Sequence, residues 1–326
     1  MPRHRPEAGA GGVKTFASAA VSQPGTAVSR DSLPSMRTPI LRRRIARWGT
    51  AVLMAAAPAA TAVPAQALPS SPLPPTGQAA LWSAGHGMIS GPVSTPQPIA
   101  SVTKVMTAYQ VLTDHPLRPG DQGPTITVLA SEVTAYRAAR LGGESVIPVA
   151  AGERISERTA LEAMLLPSAN DMARVLARWD AGSISGFVSR MNATAALTGM
   201  SHTHYADPAG VNTATVSTAT DQLRLDLKAL ANPVLAGVVG EKSATVPVAG
   251  TVRNSNPLLG TDGFVGTKTG WTTAAGSCLM FAAREADRRG GVHMVYGVLL
   301  GQPGGPRSGA VFMAARRMVD AARAGL

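Results

Sequence analysis

An α+β fold is expected for this chain of 326 residues, with an antiparallel β-sheet flanked by helices and joined to a mainly α-helical subdomain. Three observations predict it. Residues 277–283 and 293–300 are apolar runs on either side of Asp287-Arg288-Arg289-Gly290-Gly291, which is a hairpin pattern. The middle of the chain repeats its apolar residues at helical spacing. The chain then closes on a helix whose Val311, Phe312, Ala315, Met318, Val319 and Ala322 share one face, with Arg316, Arg317, Asp320 and Arg323 largely off it.

Taken in order, the first segment reads as a leader. Arg37, Arg42, Arg43, Arg44 and Arg47 form a basic region, 48–57 is a modest apolar stretch, and Ala65-Gln66-Ala67 is a cleavage site of the A-x-A kind. This predicts Sec-type export, with a signal over 36–67 and an upstream extension over 1–35 ahead of Met36. The apolar stretch is short, Ala-rich and interrupted by Pro58 and Pro64, which disfavours a retained membrane span. A Pro/Ser-rich linker follows over 68–78, and the folded domain is expected over 79–326.

Within it, 80–83 reads as a first strand and 85–91 as the turn to its partner. A helix is expected over 99–112, where Val105, Met106, Ala108, Val111 and Leu112 supply the stripe, and His115-Pro116 ends it. Strand-like pieces follow at 126–129 and 145–149. Helices are then expected over 155–166 and 169–179, broken at Pro167, and over 187–197 and 220–230, with Thr220-Asp221 capping the last. Residues 264–268 read as an edge strand. The closing helix, directly after the hairpin, is expected to pack on the sheet rather than on a membrane.

Composition excludes several function classes. The net charge of +11 suggests a polyanion ligand, but nine Lys/Arg against two acidic residues place +7 of it before Leu68, and no basic patch is interleaved with aromatics. No nucleic-acid partner is expected. Cys278 is the only cysteine, so no intramolecular disulfide can form, and its apolar neighbours read as a buried strand rather than a nucleophile's setting. His202 and His204 are too few to hold a metal; no metal and no cofactor are expected. No G-x-S-x-G elbow supports a Ser-His-Asp arrangement.

Three short motifs occur in a fixed order: Ser101-Val102-Thr103-Lys104, Ser168-Ala169-Asn170 and Lys268-Thr269-Gly270. Ser101 and Lys104 project from one helix face about a turn apart. A serine hydroxyl needs a base, and a lysine serves only when burial or another cation, here Lys268, lowers its pKa. Standing alone, the first motif is a common accident and Ser168 reads as a helix cap. An edge strand carrying Lys268 offers unpaired backbone groups to an extended peptide.

The ordered triple resembles the active site of the penicillin-binding proteins and serine β-lactamases. The resemblance widens through 98–108, Asp207-Pro208-Ala209-Gly210, Asn256-Pro257-Leu258-Leu259, Asp262-Gly263 and 272–276. Over 79–326 the chain is similar to the low-molecular-mass D-alanyl-D-alanine carboxypeptidases of peptidase family S11. The resemblance implies a β-lactamase/penicillin-binding protein-like transpeptidase fold, with Ser101 as nucleophile, Lys104 as base and Ser168 in the proton relay. It assigns Asn170, Lys268, Thr269 and Gly270 to substrate binding and the backbone N–H groups of Ser101 and Trp271 to the oxyanion hole.

The implied partners are peptidoglycan stem peptides, with β-lactams as inhibitors, and a monomer is expected. Between Asn170 and Ala219 there is no Glu of the kind class A β-lactamases use for deacylation. Residues 262–268 form a longer segment than the compact Asp-Gly-x-Lys pattern of many relatives, which predicts a looser approach to the strand. Neither a C-terminal β-rich domain nor a separate C-terminal anchor is expected.

Overall fold

The computed structural model describes residues 71–91, 95–286, 291–306 and 309–326. The expected leader and upstream extension lie outside the described residues. In chain order the strands and helices are β1 (Gln78–Ser83), β2 (Gly87–Ser90), β3 (Gln97–Pro98), α1 (Thr103–Asp114), β4 (Thr125–Thr127), α2 (Ala130–Leu141), β5 (Arg154–Ser156) and α3 (Glu157–Leu165). They continue with α4 (Asn170–Ala181), α5 (Ile184–Leu197), β6 (Val216–Ser217), α6 (Ala219–Ala229), α7 (Pro233–Val239), β7 (Ser243–Val246) and β8 (Gly250–Arg253). β9 (Phe264–Thr272), β10 (Gly276–Ala286), β11 (Val292–Gln302) and α8 (Gly309–Ala324) complete the chain, which is the expected α+β architecture.

The main sheet runs β2-β1-β11-β10-β9, and each pairing is antiparallel. Its central strands are apolar on both faces, and alternation sends the two sets into separate cores. Leu81, Leu279, Phe281, Val295 and Leu299 meet Val311, Ala315, Met318 and Val319 of α8. Ala80, Cys278, Met280, Val298 and Leu300 join the larger core built with α1 and α3 to α6. The apolar face of α8 is therefore spent on the sheet, and among the described residues no helix is long and apolar enough to cross a membrane.

Several local expectations are corrected. Residues 145–149 form no strand; the small sheet here pairs β4 with β5, and the helix α2 lies between them. Only Val133, Tyr136 and Ala139 of α2 are buried, a stripe too thin to stand out, and the Glu132 carboxylate accepts from Leu129 N at 2.8 Å to close its first turn. Residues 85–91 hold β2 itself and not only a turn. The cap of α6 is Thr218, whose hydroxyl accepts from Asp221 N at 3.2 Å, rather than Thr220. The helix α7 and the β7–β8 hairpin were not anticipated.

The end of the linker is also packed. Leu73 lies against the second core, and Thr76 O accepts from Gln302 Nε2 at 2.7 Å. The approach to β9 is closed rather than loose, because Gly260 N donates to Phe264 O and Phe264 N to Thr261 O, while Asp262 pairs with Arg316. Gly263 adopts φ +80°, and a side chain there would run into the Arg284 carbonyl.

One buried acid sits at the contact between α6 and β9. Asp226 is fully buried, accepts from Thr267 Oγ1 at 3.3 Å, and burial pushes its carboxyl up to about 8. A folded pKa raised above the unfolded value gives stability that is complete below about pH 4 and lost as pH climbs through about 8. Asp226→Asn should therefore match the wild type in melting temperature near pH 4 and exceed it by a few degrees at pH 9. A constant difference across that range, measured by calorimetry, would show that Asp226 is not a neutral buried acid.

Candidate active site

The first motif is placed by a 3-10 turn, Ala100–Val102, that runs directly into α1. Ala100 adopts φ +48°, a left-handed backbone that costs a non-glycine residue, and Thr103 Oγ1 ties its carbonyl at 2.7 Å. Ser101 stays half-buried, whereas Lys104, one turn on, is fully buried among the apolar residues of the larger core. Lys104 Nζ lies 2.9 Å from Ser101 Oγ, 2.7 Å from Asn170 Oδ1 and 2.8 Å from Ala209 O.

That set of neighbours has a chemical consequence. A neutral lysine amine has two N–H bonds and one lone pair. Asn170 Oδ1 and Ala209 O can only accept, so they take the two N–H bonds, and the lone pair is left facing Ser101 Oγ. The amine is held well below its ordinary pKa first by burial and then by the Lys268 cation, which favours the neutral form that a base requires.

Ala209 arrives on the Asp207-Pro208-Ala209-Gly210 turn. Pro208 O accepts from Thr107 Oγ1 at 2.6 Å, and Gly210 packs so closely that any side chain would strike the Ala100 carbonyl. The second motif sits in the break between α3 and α4. Ser168, also left-handed at φ +67°, does not cap the helix; the N-cap is Ala169, and no side-chain hydrogen bond is made there. Asn170 is the first residue of α4 and is 5% exposed.

The third motif lies on β9, which is the edge of the sheet as expected. Strand alternation turns Lys268 and Gly270 to one side. At Gly270 a Cβ would lie 2.9 Å from Ser101 N and 3.2 Å from Val102 N, so the strand is pressed against the turn that bears the serine. Lys268 is only 1% exposed, donates to Thr269 O at 2.9 Å, and burial lowers its ammonium to about 7. Lys268, expected as the cationic carboxylate ligand, is thus a buried side chain with a lowered pKa. It does not line the cleft, whereas Thr269 does, with its hydroxyl 2.9 Å from that of Ser255.

Ser101, Ser168, Asn170, Thr269, Gly270 and Trp271 line one cleft of about 530 Å³, whereas Lys104 and Lys268 are buried and absent from its lining. Sequence reasoning missed Glu144, Ser255, Thr272, Thr273 and Phe312 on its walls. Of these, Thr272 and Thr273 fall inside the 272–276 segment of the resemblance and Ser255 adjoins Asn256, so a pattern could have pointed to those three. Cys278 is buried with its thiol pushed up to about 12, which leaves it protonated and unreactive. His202 and His204 lie outside the cleft lining, and among the described residues no three His, Cys, Asp or Glu cluster for a metal.

Residues 84–297 match the family described as D-alanyl-D-alanine carboxypeptidase, peptidase family S11. The chain is 31% identical over 244 residues to D-alanyl-D-alanine carboxypeptidase DacB2 of Mycobacterium tuberculosis, covering 71% of this chain and 79% of that protein. It is 36% identical over 205 residues to a D-alanyl-D-alanine endopeptidase of Pseudomonas aeruginosa, covering 61% of this chain and 62% of that one. Among solved structures it is similar to the Streptomyces K15 DD-transpeptidase, with TM-score 0.64, 26% identity and coverage of 74% and 94% of the two chains. A penicillin-binding protein homologue from Mycobacterium tuberculosis matches with TM-score 0.66 and 28% identity over 78% and 95%. With the family matched along most of the folded region and the three motifs converging on one serine, this chain belongs to the D-alanyl-D-alanine carboxypeptidase family of low-molecular-mass penicillin-binding proteins.

Proposed function

We propose that this peptidase removes the terminal D-Ala from peptidoglycan stem pentapeptides through an acyl-enzyme on Ser101. The observation that carries the reading is the buried Lys104 amine, 2.9 Å from Ser101 Oγ, with two acceptors fixing its N–H bonds. In the first step Ser101 Oγ bonds to the carbonyl carbon of the penultimate D-Ala while its proton passes to Lys104 Nζ. The oxyanion is held by the N–H groups of Ser101 and Trp271. Collapse breaks the peptide C–N bond, and the D-Ala amine leaves with a proton routed through Lys104 and Ser168. Water then hydrolyses the ester.

The peptide lies along β9 by strand addition, its terminal carboxylate near Thr269 and Ser255 and above the Lys268 charge. An arriving carboxylate raises the Lys268 pKa again, so substrate and ammonium stabilise each other. A β-lactam offers a carbonyl and a carboxylate at similar spacing and would acylate the same serine. Relatives named endopeptidase support a second reading in which the leaving group belongs to a cross-link. We also propose that the leader exports the chain across the cytoplasmic membrane to the cell wall and is removed after Ala67.

A fluorescent penicillin should label the wild type covalently, and Ser101→Ala should fold normally without label; an unlabelled, folded wild type would sink the assignment. Mass spectrometry of a defined pentapeptide and of a cross-linked dimer, each incubated with the enzyme, separates the two leaving groups.

The two lysines set the pH dependence. A rate that needs neutral Lys104 rises as pH passes its lowered pKa, and one that needs Lys268 protonated falls as pH passes about 7 in the free enzyme. The profile of kcat/KM should be a bell, and that of kcat should extend further into alkali. Lys104→Arg should abolish acylation because guanidinium stays protonated, whereas Lys268→Arg should weaken capture yet leave measurable acylation. The opposite pattern in stopped-flow measurements would mean that the roles are reversed.

Gly270→Ala should drive β9 off the serine turn and misplace the oxyanion donors. A loss of about 10²–10³ in acylation rate is expected, with a melting temperature only modestly lowered. Wild-type rates in that variant would show that the close approach is dispensable.

A further inference from the structure

Glu144 lies on the cleft wall and has no part in the chemistry described above. Its backbone is held on both sides, since Glu144 N donates to Ala139 O at 3.0 Å and the next carbonyl, Ser145 O, accepts from Asn170 N at 2.7 Å. Its Oε2 accepts twice, from Arg174 Nη2 at 2.7 Å and from Asn170 Nδ2 at 2.9 Å. A continuous chain of contacts thus runs from Arg174 through Glu144 and Asn170 to Lys104 and Ser101.

An asparagine carboxamide can rotate by half a turn and exchange its oxygen for its nitrogen with little change of shape. At Asn170 the exchange would matter. An NH2 group facing Lys104 would donate into the amine lone pair, the same lone pair that must take the Ser101 proton. The displaced oxygen would then face a carboxylate, one acceptor against another. We propose that Glu144, held by Arg174, is a positioning residue that locks the Asn170 carboxamide with its oxygen toward Lys104 and so leaves the lysine lone pair only Ser101 to face. This rests on the reading of Ser101 as nucleophile and Lys104 as its base.

The charged groups acting on Lys104 come from four places: Lys268 on β9, Asp207 on the turn before Gly210, Arg174 on α4 and Glu144 itself. Of these, Glu144 and Asp207 raise the lysine pKa and the two cations lower it. Deleting the Glu144 carboxylate should therefore move the acidic limb of the acylation profile to lower pH while lowering its plateau. A merely structural loss would lower the amount of active enzyme and leave the limb where it was.

The test is stopped-flow acylation of the full chain by a fluorescent penicillin as a function of pH, in Glu144→Ala, Glu144→Gln, Asn170→Ala and the Glu144→Ala/Asn170→Ala double variant. The plateau in Glu144→Ala should fall by about ten- to a hundredfold, in keeping with misplacement of a catalytic group. Glu144→Gln, which keeps the shape and one acceptor oxygen, should recover part of that loss, and it serves if the alanine variant fails to fold. The double variant should be no slower than Asn170→Ala alone, because Glu144 acts through Asn170. Multiplying losses in the double variant, or wild-type rates in Glu144→Ala, would overturn the inference by itself. A wild type that takes no label would overturn the reading of Ser101 and this inference with it.

Discussion

Two lysine side chains buried close enough for one charge to act on the other form the constraint that the rest of the structure accommodates. Lys104 and Lys268 are 0% and 1% exposed, and each would cost several kcal/mol to bury as an unpaired ion. That cost shows in both amines, whose pKa values burial lowers, that of Lys268 to about 7. The fold also gives Lys104 carbonyl acceptors that serve an amine as well as an ammonium. The reactivity proposed for Ser101 rests on this arrangement, because the same burial that disfavours the ammonium favours a base.

Holding such a pair dry takes rigid walls on every side. The larger core supplies them through the apolar residues of α1, which surround Lys104 in sequence as well as in space. The sheet supplies the other wall. Its two-sided burial, with α8 on one face and the helical subdomain on the other, fixes β10 and β11, and β9 is then fixed by its register on β10 from Phe264 to Thr272. The edge of β9 can remain open to a peptide because its inner neighbours carry the packing. At Gly270 that edge touches the serine turn, so the position of the sheet is transmitted to the nucleophile without an intervening side chain.

What could be read in the sequence follows from the range over which each feature is encoded. The β10–β11 hairpin, the closing helix and the edge strand were legible because their patterns are continuous and local. The helix α2 was not, since three buried residues in twelve make a weak period, and its first turn is closed by Glu132 rather than by a Ser, Thr or Asp ahead of it. The identities of Ser101, Lys104 and Asn170 were legible as a spaced triple. That Lys268 is buried was not, because burial of a strand residue depends on what packs above it. Glu144 left no signal at all, as its partner Asn170 is 26 residues away and a lone Glu after two glycines looks like a surface turn.

The same distinction bears on which bond the enzyme breaks. Relatives named carboxypeptidase and endopeptidase match this chain at comparable identity, 31% and 36%. In the proposed mechanism the nucleophile, the base and the oxyanion donors act on the carbonyl, and they do the same work whether the departing amine is a single D-Ala or part of a second peptide. Discrimination between leaving groups therefore has to arise from contacts made only by the departing side, through differential binding in the transition state. Those contacts belong to the walls, where Ser255 meets Thr269 and where Thr272, Thr273 and Phe312 close the cleft. In the proposed mechanism, discrimination between leaving groups thus falls to these walls, which lie on the end of β9, on α8 and on the segments beside them, while the groups that act on the carbonyl are held by the larger core and the sheet.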